Sequence, residues 1–254
     1  KTPDVVDQAG LEKLALEANG GPIKRPSDGK EVENVVFVQC AGQRSDKEGH
    51  LPYCSGHCCL TSIKQAMYFK DQNPLVDTNI IYTDMRTPGA GGEDFYRSGQ
   101  KKGITFTKGN VSEVTAGANG PEVRFNDLIL DQEVNEKADL VVLATGQIPN
   151  SGVDIEAVPL EAEEGEEGEA TESAAAPEVS VDSILNLTYR QGKDLPHLKY
   201  GFNDSHFICF PYETRRTGIY SAGPVRRPMD MLQAKEDATG AALKAIQALE
   251  NAKL

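Results

Sequence analysis

Apolar and polar positions fall into blocks whose period changes along the chain. Asn34-Val-Val-Phe-Val-Gln-Cys40 is β-branched, aromatic and apolar throughout its centre, which predicts a buried strand ending at Ala41-Gly42. Leu60, Ile63, Ala66, Met67 and Phe69 then recur with a helical period, so Cys58 to Lys70 reads as a helix that Pro74 stops. A second strand, Thr78 to Asp84, ends on an acid. It is followed by a helix from Glu93 to Lys102 and a short third strand from Ile104 to Gly109. Val111 to Val114, Glu122 to Phe125 and Asp127 to Leu130 alternate like an antiparallel meander, and Ala138 to Gly146 supplies another buried strand of the parallel type. Residues 1–33 hold an amphipathic opening helix around Leu11 to Leu16, then a connector broken by Gly20-Gly21-Pro22 and Arg25-Pro26. Near the other end, Ser205 to Pro211 and Gly218 to Gly223 read as strands and Asp230 to Leu249 as a long Ala-rich helix. No internal repeat is present. The order predicts an α/β, Rossmann-like fold: a nucleotide-type domain over residues 34–150 with a small β excursion, and part of a second domain over residues 185–254.

Composition changes this picture in one region. The chain of 254 residues has 26 Lys+Arg against 39 Asp+Glu, a formal charge of −13. Glu161 to Glu178 contains eight Glu and no basic residue, so without it the charge is −5. Gly, Ala, Ser and Thr fill most of the rest, and such a stretch buries too little apolar surface to offset its ordering entropy. Residues 151–184 are therefore read as an acidic disordered linker or insertion. The acidic balance excludes a nucleic-acid phosphate binder, which needs clustered Lys and Arg. The apolar runs, Val35 to Val38 and Leu140 to Leu143 foremost, are far short of the roughly 20 residues that cross a bilayer.

The cysteines carry the specific chemistry. Of five, Cys40, Cys54, Cys58 and Cys59 crowd into twenty residues as C-x13-C-x3-C-C, and Cys209 stands apart. An odd count without a regular framework points to a reducing, cytoplasmic compartment and to thiols used for metal or redox chemistry. Where a dinucleotide-binding fold places its glycine-rich turn between strand and helix, this chain places thiols, and no G-x-G-x-x-G follows the strand. The positive helix end that would hold phosphate can instead stabilise thiolates. Four soft ligands suit tetrahedral zinc or an iron–sulfur cluster, and His50 and His57 lie in the same loop as further candidate ligands. Asp84 stands where such a fold puts a ribose-binding carboxylate, and is otherwise a plain strand-end acid. Arg215-Arg216 and Arg226-Arg227 are candidates for facing phosphates or for pairing with nearby carboxylates.

Ala144-Thr145-Gly146 and Gly218 to Gly223 each end a hydrophobic strand in small residues, which lets a bulky cofactor approach the backbone. With Gln233-Ala234 in the helix that follows, they resemble the two-domain flavoproteins of the thioredoxin reductase type. That resemblance implies flavin-domain contacts at Thr145, Gly146, Ala222, Gly223, Gln233 and Ala234. Family members place Asp directly after the second Ala-Gly, and this chain has Pro224.

Val38-Gln-Cys40-Ala-Gly-Gln-Arg44, Pro52-Tyr-Cys54-Ser-Gly-His-Cys58-Cys59 and Ile63-Lys-Gln-Ala66 resemble the core of the A-type subunit of heterodisulfide reductase. Among its relatives they are most similar to the B-type subunit of the quinone-interacting membrane-bound oxidoreductase of sulfate reducers. The resemblance runs from about Ile23 to the end, with the acidic segment as an insertion. It implies that Cys40, Cys54, Cys58 and Cys59 ligate a [4Fe–4S] cluster beside FAD, and that residues 185–254 are the C-terminal part of an FAD-binding domain. It implies partners among the other subunits of a membrane-associated complex, with adenylylsulfate reductase as a soluble electron partner, and a cytoplasmic location, peripheral on the inner membrane through those subunits. The N-terminal glycine-rich flavin segment and the ferredoxin-like cysteine motifs of that family are not in this sequence, so the chain reads as an internal fragment.

Three functional classes follow. The first is an electron-transfer module relaying electrons between FAD and an iron–sulfur centre in sulfate-reduction energy metabolism. The second is a non-catalytic assembly module serving contacts between subunits, with a zinc-bound or empty four-cysteine site. The third, a self-contained NAD(P)H dehydrogenase, lacks the phosphate-cradling glycines. No Ser-His-Asp, HExxH or P-loop pattern supports a hydrolase or phosphotransferase.

Overall fold

The strand that runs into the first cysteine is the middle one of five parallel strands. The computed structural model describes residues 2–117, 120–149, 198–203, 211–214 and 218–252, and the chain divides into two compact units, Lys1–Gly146 and Gln147–Leu254. The acidic segment, the strand expected at Ser205 to Pro211, Cys209 and the Arg215-Arg216 pair lie outside the described residues, Pro211 alone excepted.

In the first unit β1 (Val5–Asp7) leads into α1 (Gln8–Ala18), and β2 (Asn34–Val38) into α2 (Cys58–Gln72). β3 (Asp77–Tyr82), α3 (Gly92–Lys101), β4 (Thr105–Gly117), β5 (Gly120–Asp127), β6 (Gln132–Lys137) and β7 (Leu140–Leu143) follow. They form one sheet of seven strands in the order β1-β7-β2-β3-β4-β5-β6. Five are parallel, with Val38 opposite both Leu143 and Ile81, and β4-β5-β6 is an antiparallel meander. β3 and β4 run outward on one side of β2, and β7 lies on its other side. This is the half-Rossmann order, with its switch point between the carboxyl ends of β2 and β7.

Strand alternation sorts the core onto two faces. Val35 and Phe37 face α1 and α2 with Leu11, Ile63, Ala66, Phe69 and Leu140, and Phe37 meets Phe69 edge-on at 6.5 Å. Val36 and Val38 face the meander side with Val123, Phe125 and Val141.

Several sequence expectations are corrected. The third strand and the first meander strand are one element: β4 pairs in parallel with β3 over Thr105 to Lys108 and then antiparallel with β5, with a register shift between Val111 and Glu113. Asp127 ends β5, and Leu128 to Leu130 is a turn and not a strand. Asp127 Oδ1 accepts from the N–H groups of Ile129 and Leu130 at 2.8 and 2.9 Å, a local bond that competes with the ladder. The return strand is the polar β6. The opening segment contributes an edge strand through β1, and the connector is fixed by Arg25, which pairs with Asp4, Asp28 and Asp139 at 3.5, 3.6 and 3.1 Å.

In the second unit the expected strand at Gly218 to Gly223 is a single bridge between Glu213 and Tyr220, followed by a one-turn 3₁₀ helix, Gly223–Val225. The Ala-rich helix is α4 (Met231–Asn251). Its cap Asp230 accepts from the Gln233 N–H at 2.8 Å.

Candidate functional site

β2 delivers Cys40 to the carboxyl edge of the sheet, and α2 begins at Cys58 beside it, so chain order alone brings three of the four thiols to the switch point. Cys40 sits at φ +55 and Arg44 at +53, two non-glycine residues in the left-handed region that turn the loop sharply off the strand end. Cys58 and Cys59 are buried, Cys40 and Cys54 half-buried, and all four are free thiols.

The loop is held down by Gln43, which is only 5% exposed. Its Nε2 donates to the Ala144 carbonyl at 2.7 Å and lies 3.5 Å from Cys58 Sγ, while its Oε1 accepts from the fully buried Ser55 hydroxyl at 2.5 Å. The Ala41 N–H also reaches the Ala144 carbonyl, at 3.1 Å. Gly146, at φ +90, lies against this carboxamide: a Cβ there would come within 2.2 Å of Gln43 Oε1 and 2.4 Å of Ser55 Oγ. The absence of a side chain at Gly146 therefore accommodates Gln43 and Ser55 of the cysteine loop. From the helix side, Gln8 Nε2 donates to the Cys58 carbonyl and to Ser62 Oγ, both at 2.9 Å.

The electrostatics of the sulfurs are shared. Burial pushes the Cys40, Cys58 and Cys59 thiols up, Cys59 to about 11. Nearby N–H donors oppose this: the Arg44 guanidinium at Cys40, the Gln43 amide at Cys58 and the Arg86 backbone at Cys59. Neighbouring cysteines push up each of these three thiols, so the four sulfurs occupy one electrostatic neighbourhood. Thiols so placed keep their protons unless a cation takes over the charge, which is how a metal centre competes for such a set.

Among the described residues no group of three or more Cys, His, Asp or Glu side chains closes around a point as one metal ion requires. His57 stands 3.9 Å from Cys58 Sγ through Nδ1, and His50 lines a cavity of about 570 Å³ that also opens on Cys40, Arg44 and Asp84. A four-iron cluster binds each thiolate at a different corner and so spaces its sulfurs more widely than a single tetrahedral ion does. Thiols that are grouped but not convergent fit that centre.

One residue before Cys40, the carboxamide of Gln39 is buried with neither its nitrogen nor its oxygen hydrogen-bonded. Gln39 N donates to the Ile81 carbonyl at 3.0 Å, which extends β2, and alternation puts its side chain on the face of Val35 and Phe37, the α2 side. An orphaned amide at this strand end is a second sign that a polar group belongs there.

Asp84 is already engaged. Its Oδ2 accepts from Arg44 Nη2 at 2.6 Å, which holds its carboxyl below the usual range and raises the guanidinium in turn.

Of the residues expected to touch flavin, Thr145 and Gly146 lie at this switch point, and Ala222, Gly223, Gln233 and Ala234 belong to the second unit. There the Gly223 N–H donates to buried Asp237 at 2.7 Å, and Asp237 also pairs with Arg226, which stacks 4.5 Å over Tyr212. Thus Arg226 of the Arg226-Arg227 pair has a carboxylate partner. The Gly223 and Gln233 N–H groups are both used within the chain, while the Cα face of Gly223 is open, with nothing within 4 Å of where a Cβ would stand.

Gln43, Ser55 and Gln8 were not legible as functional in the sequence. Gln43 and Ser55 stand within the cysteine motifs and Gln8 before them, but no period gives these polar residues a role, and only the length of the C-x13-C spacing signalled that the loop needed internal bonds.

No protein-family model matches the chain. Curated relatives do: the A-type subunit of a ferredoxin/F420H2-dependent CoB-CoM heterodisulfide reductase from Methanosarcina acetivorans is 30% identical over 100% of this chain and 28% of its own length. An iron-sulfur subunit of the same type, from the CoB–CoM heterodisulfide reductase of Methanopyrus kandleri, is 29% identical over 97% of this chain and 33% of its own. Among solved structures, the thioredoxin reductase of T. acidophilum overlays 97% of this chain and 58% of that one, with a TM-score of 0.48 at 15% identity. The chain thus spans about three tenths of the length of the curated relatives it matches, and it is a homologue of that part of the heterodisulfide reductase A-type subunit.

Proposed function

We propose that this chain is the electron-transfer segment of a heterodisulfide reductase-like flavoprotein, in which Cys40, Cys54, Cys58 and Cys59 hold a [4Fe–4S] cluster. The observation that carries the reading is the grouping of four free thiols at the β2/β7 switch point, three of them under the influence of their neighbours, with the Gln43 carboxamide 3.5 Å from Cys58 Sγ. When bound, such a cluster supplies a one-electron carrier, and FAD in the longer parent supplies the exchange between electron pairs and single electrons. The chain's own residues do the positioning. Gln43 and Ser55 lock the loop to the end of β7, the start of α2 presents Cys58 and Cys59, and burial shields those two residues from water. Toward FAD the second unit offers the open Cα face of Gly223 and its neighbours Ala222, Gln233 and Ala234, rather than the bonded N–H groups.

The relatives are named as subunits of heterodisulfide reductases, and other subunits of such a complex are the proposed partners. Attachment to a quinone-interacting complex at the inner membrane, with adenylylsulfate reductase as electron partner in sulfate reduction, rests on the cysteine-motif resemblance alone; the relatives matched come from methanogens. No described helix is long and apolar enough to cross a membrane.

Anaerobic reconstitution of the 254-residue chain with iron and sulfide, followed by metal and sulfide quantitation and a visible spectrum, tests the proposal. About four irons and four sulfides per chain, with broad absorbance near roughly 400 nm, are expected. Stoichiometric zinc, or no metal, would overturn it.

A further inference from the structure

Asp84, which follows β3 where a dinucleotide-binding fold keeps its ribose carboxylate, has a different task here. Arg44 comes from the loop after β2, yet its guanidinium is fixed at the end of β3, with Nη2 bonded to Asp84 Oδ2 at 2.6 Å and Nη1 3.4 Å from Thr83 Oγ1. Between Cys40 and Arg44 the chain makes two left-handed turns at non-glycine residues, a costly backbone that carries the arginine across to the neighbouring strand end. Cys40, Arg44 and Asp84 line the same cavity, with Lys47 and His50 farther out on the loop. The Arg44 guanidinium opposes the upward push of burial on the Cys40 thiol.

We propose that the Arg44–Asp84 pair sets the reduction potential of the centre that Cys40 helps to hold: Arg44 places a positive charge on the cavity that Cys40 also lines, and Asp84 is the positioning residue that keeps the guanidinium there while cancelling part of its field. The inference rests on the cluster reading above. Reduction adds one electron to the centre, forms no bond and moves no proton, so the reduced state carries one more negative charge. A nearby cation favours that state, and a nearby carboxylate opposes it. The two members of the pair therefore act with opposite sign.

The test is a dithionite titration of the reconstituted chain, followed by visible absorbance and electron paramagnetic resonance, in the wild type and in Arg44→Gln, Arg44→Lys and Asp84→Asn. Arg44→Gln is expected to lower the midpoint potential and Asp84→Asn to raise it, because Thr83 still holds Arg44. Arg44→Lys, which keeps the charge, is expected to fall between wild type and Arg44→Gln. All should retain wild-type iron and sulfide content. A purely structural role would change cluster content or move both potentials the same way, and either result, or no shift, overturns the inference. Wild-type chain that takes up no iron and sulfide overturns the cluster reading itself, before any variant is compared.

Discussion

Gly146→Ala is the most direct probe of how the cysteine loop is held. The substitution acts twice. At φ +90 an L side chain is strained, a cost of about 1–2 kcal/mol by analogy with other left-handed positions. The new Cβ would also stand 2.2 Å from Gln43 Oε1 and 2.3 Å from its carboxamide carbon, so the carboxamide must leave its place. That breaks its bonds to Ser55 Oγ and to the Ala144 carbonyl, in a site where Gln43 is 5% exposed and Ser55 fully buried. Disrupting a buried polar contact costs about 1–3 kcal/mol, which brings the total to roughly 2–5 kcal/mol. Gly42→Ala is the control, since Gly42 has φ +74 but nothing within 4 Å of its would-be Cβ, so it carries the backbone strain alone. Urea unfolding of the two variants should differ by about 1–3 kcal/mol, and the double variant Gln43→Ala/Gly146→Ala should cost less than the sum of its singles, because removing the carboxamide removes the clash. Equal losses in Gly42→Ala and Gly146→Ala, or strict additivity in the double variant, would refute the claim that Gln43 is wedged between the two strand ends.

Asp237→Ala takes one buried carboxylate from both Arg226 and the Gly223 N–H, and is expected to cost about 3–5 kcal/mol in the second unit, read as a lowered thermal midpoint. For Cys59 the sign follows from its thiol being raised from 9.0 to about 11: the folded chain keeps the proton that the unfolded chain releases, so this contribution is fully present below pH 9 and lost as the pH rises toward about 11. The urea midpoint of the metal-free chain should fall across that window, and should fall less in Cys59→Ala.

The parallel strands were legible because they are apolar on both faces, as Val35 to Val38 and Leu140 to Leu143 show, and α2 because its apolar residues keep a helical period. The meander was legible only in part. Leu128, Ile129 and Leu130 look like strand residues, yet they are 41, 74 and 64% exposed in a turn that Asp127 organises, while the charged β6 pairs by backbone along the sheet edge. β1 is three residues long, too short for any period to register, and is a strand only because β7 lies beside it. At the site, the cysteines declared themselves by spacing. Gln43, Ser55 and Arg44 did not, because the groups they meet, Ala144, Cys58 and Asp84 among them, are brought close by the sheet and not by the local sequence.

The position of β7 also orders events in time. It is the last strand of the first unit to be synthesised, yet it lies inside the sheet, pairing Val5 with Val141 on one side and Val38 with Leu143 on the other. Until it emerges, β1 has no strand neighbour and Gln43 lacks the carbonyl that anchors it, so the loop between Cys40 and the start of α2 at Cys58 is unfastened. Contacts this distant in sequence form late. On the proposed reading, a cluster would therefore be loaded only after β7 has inserted: the strand closes the sheet first, and the cysteine loop is fastened afterwards.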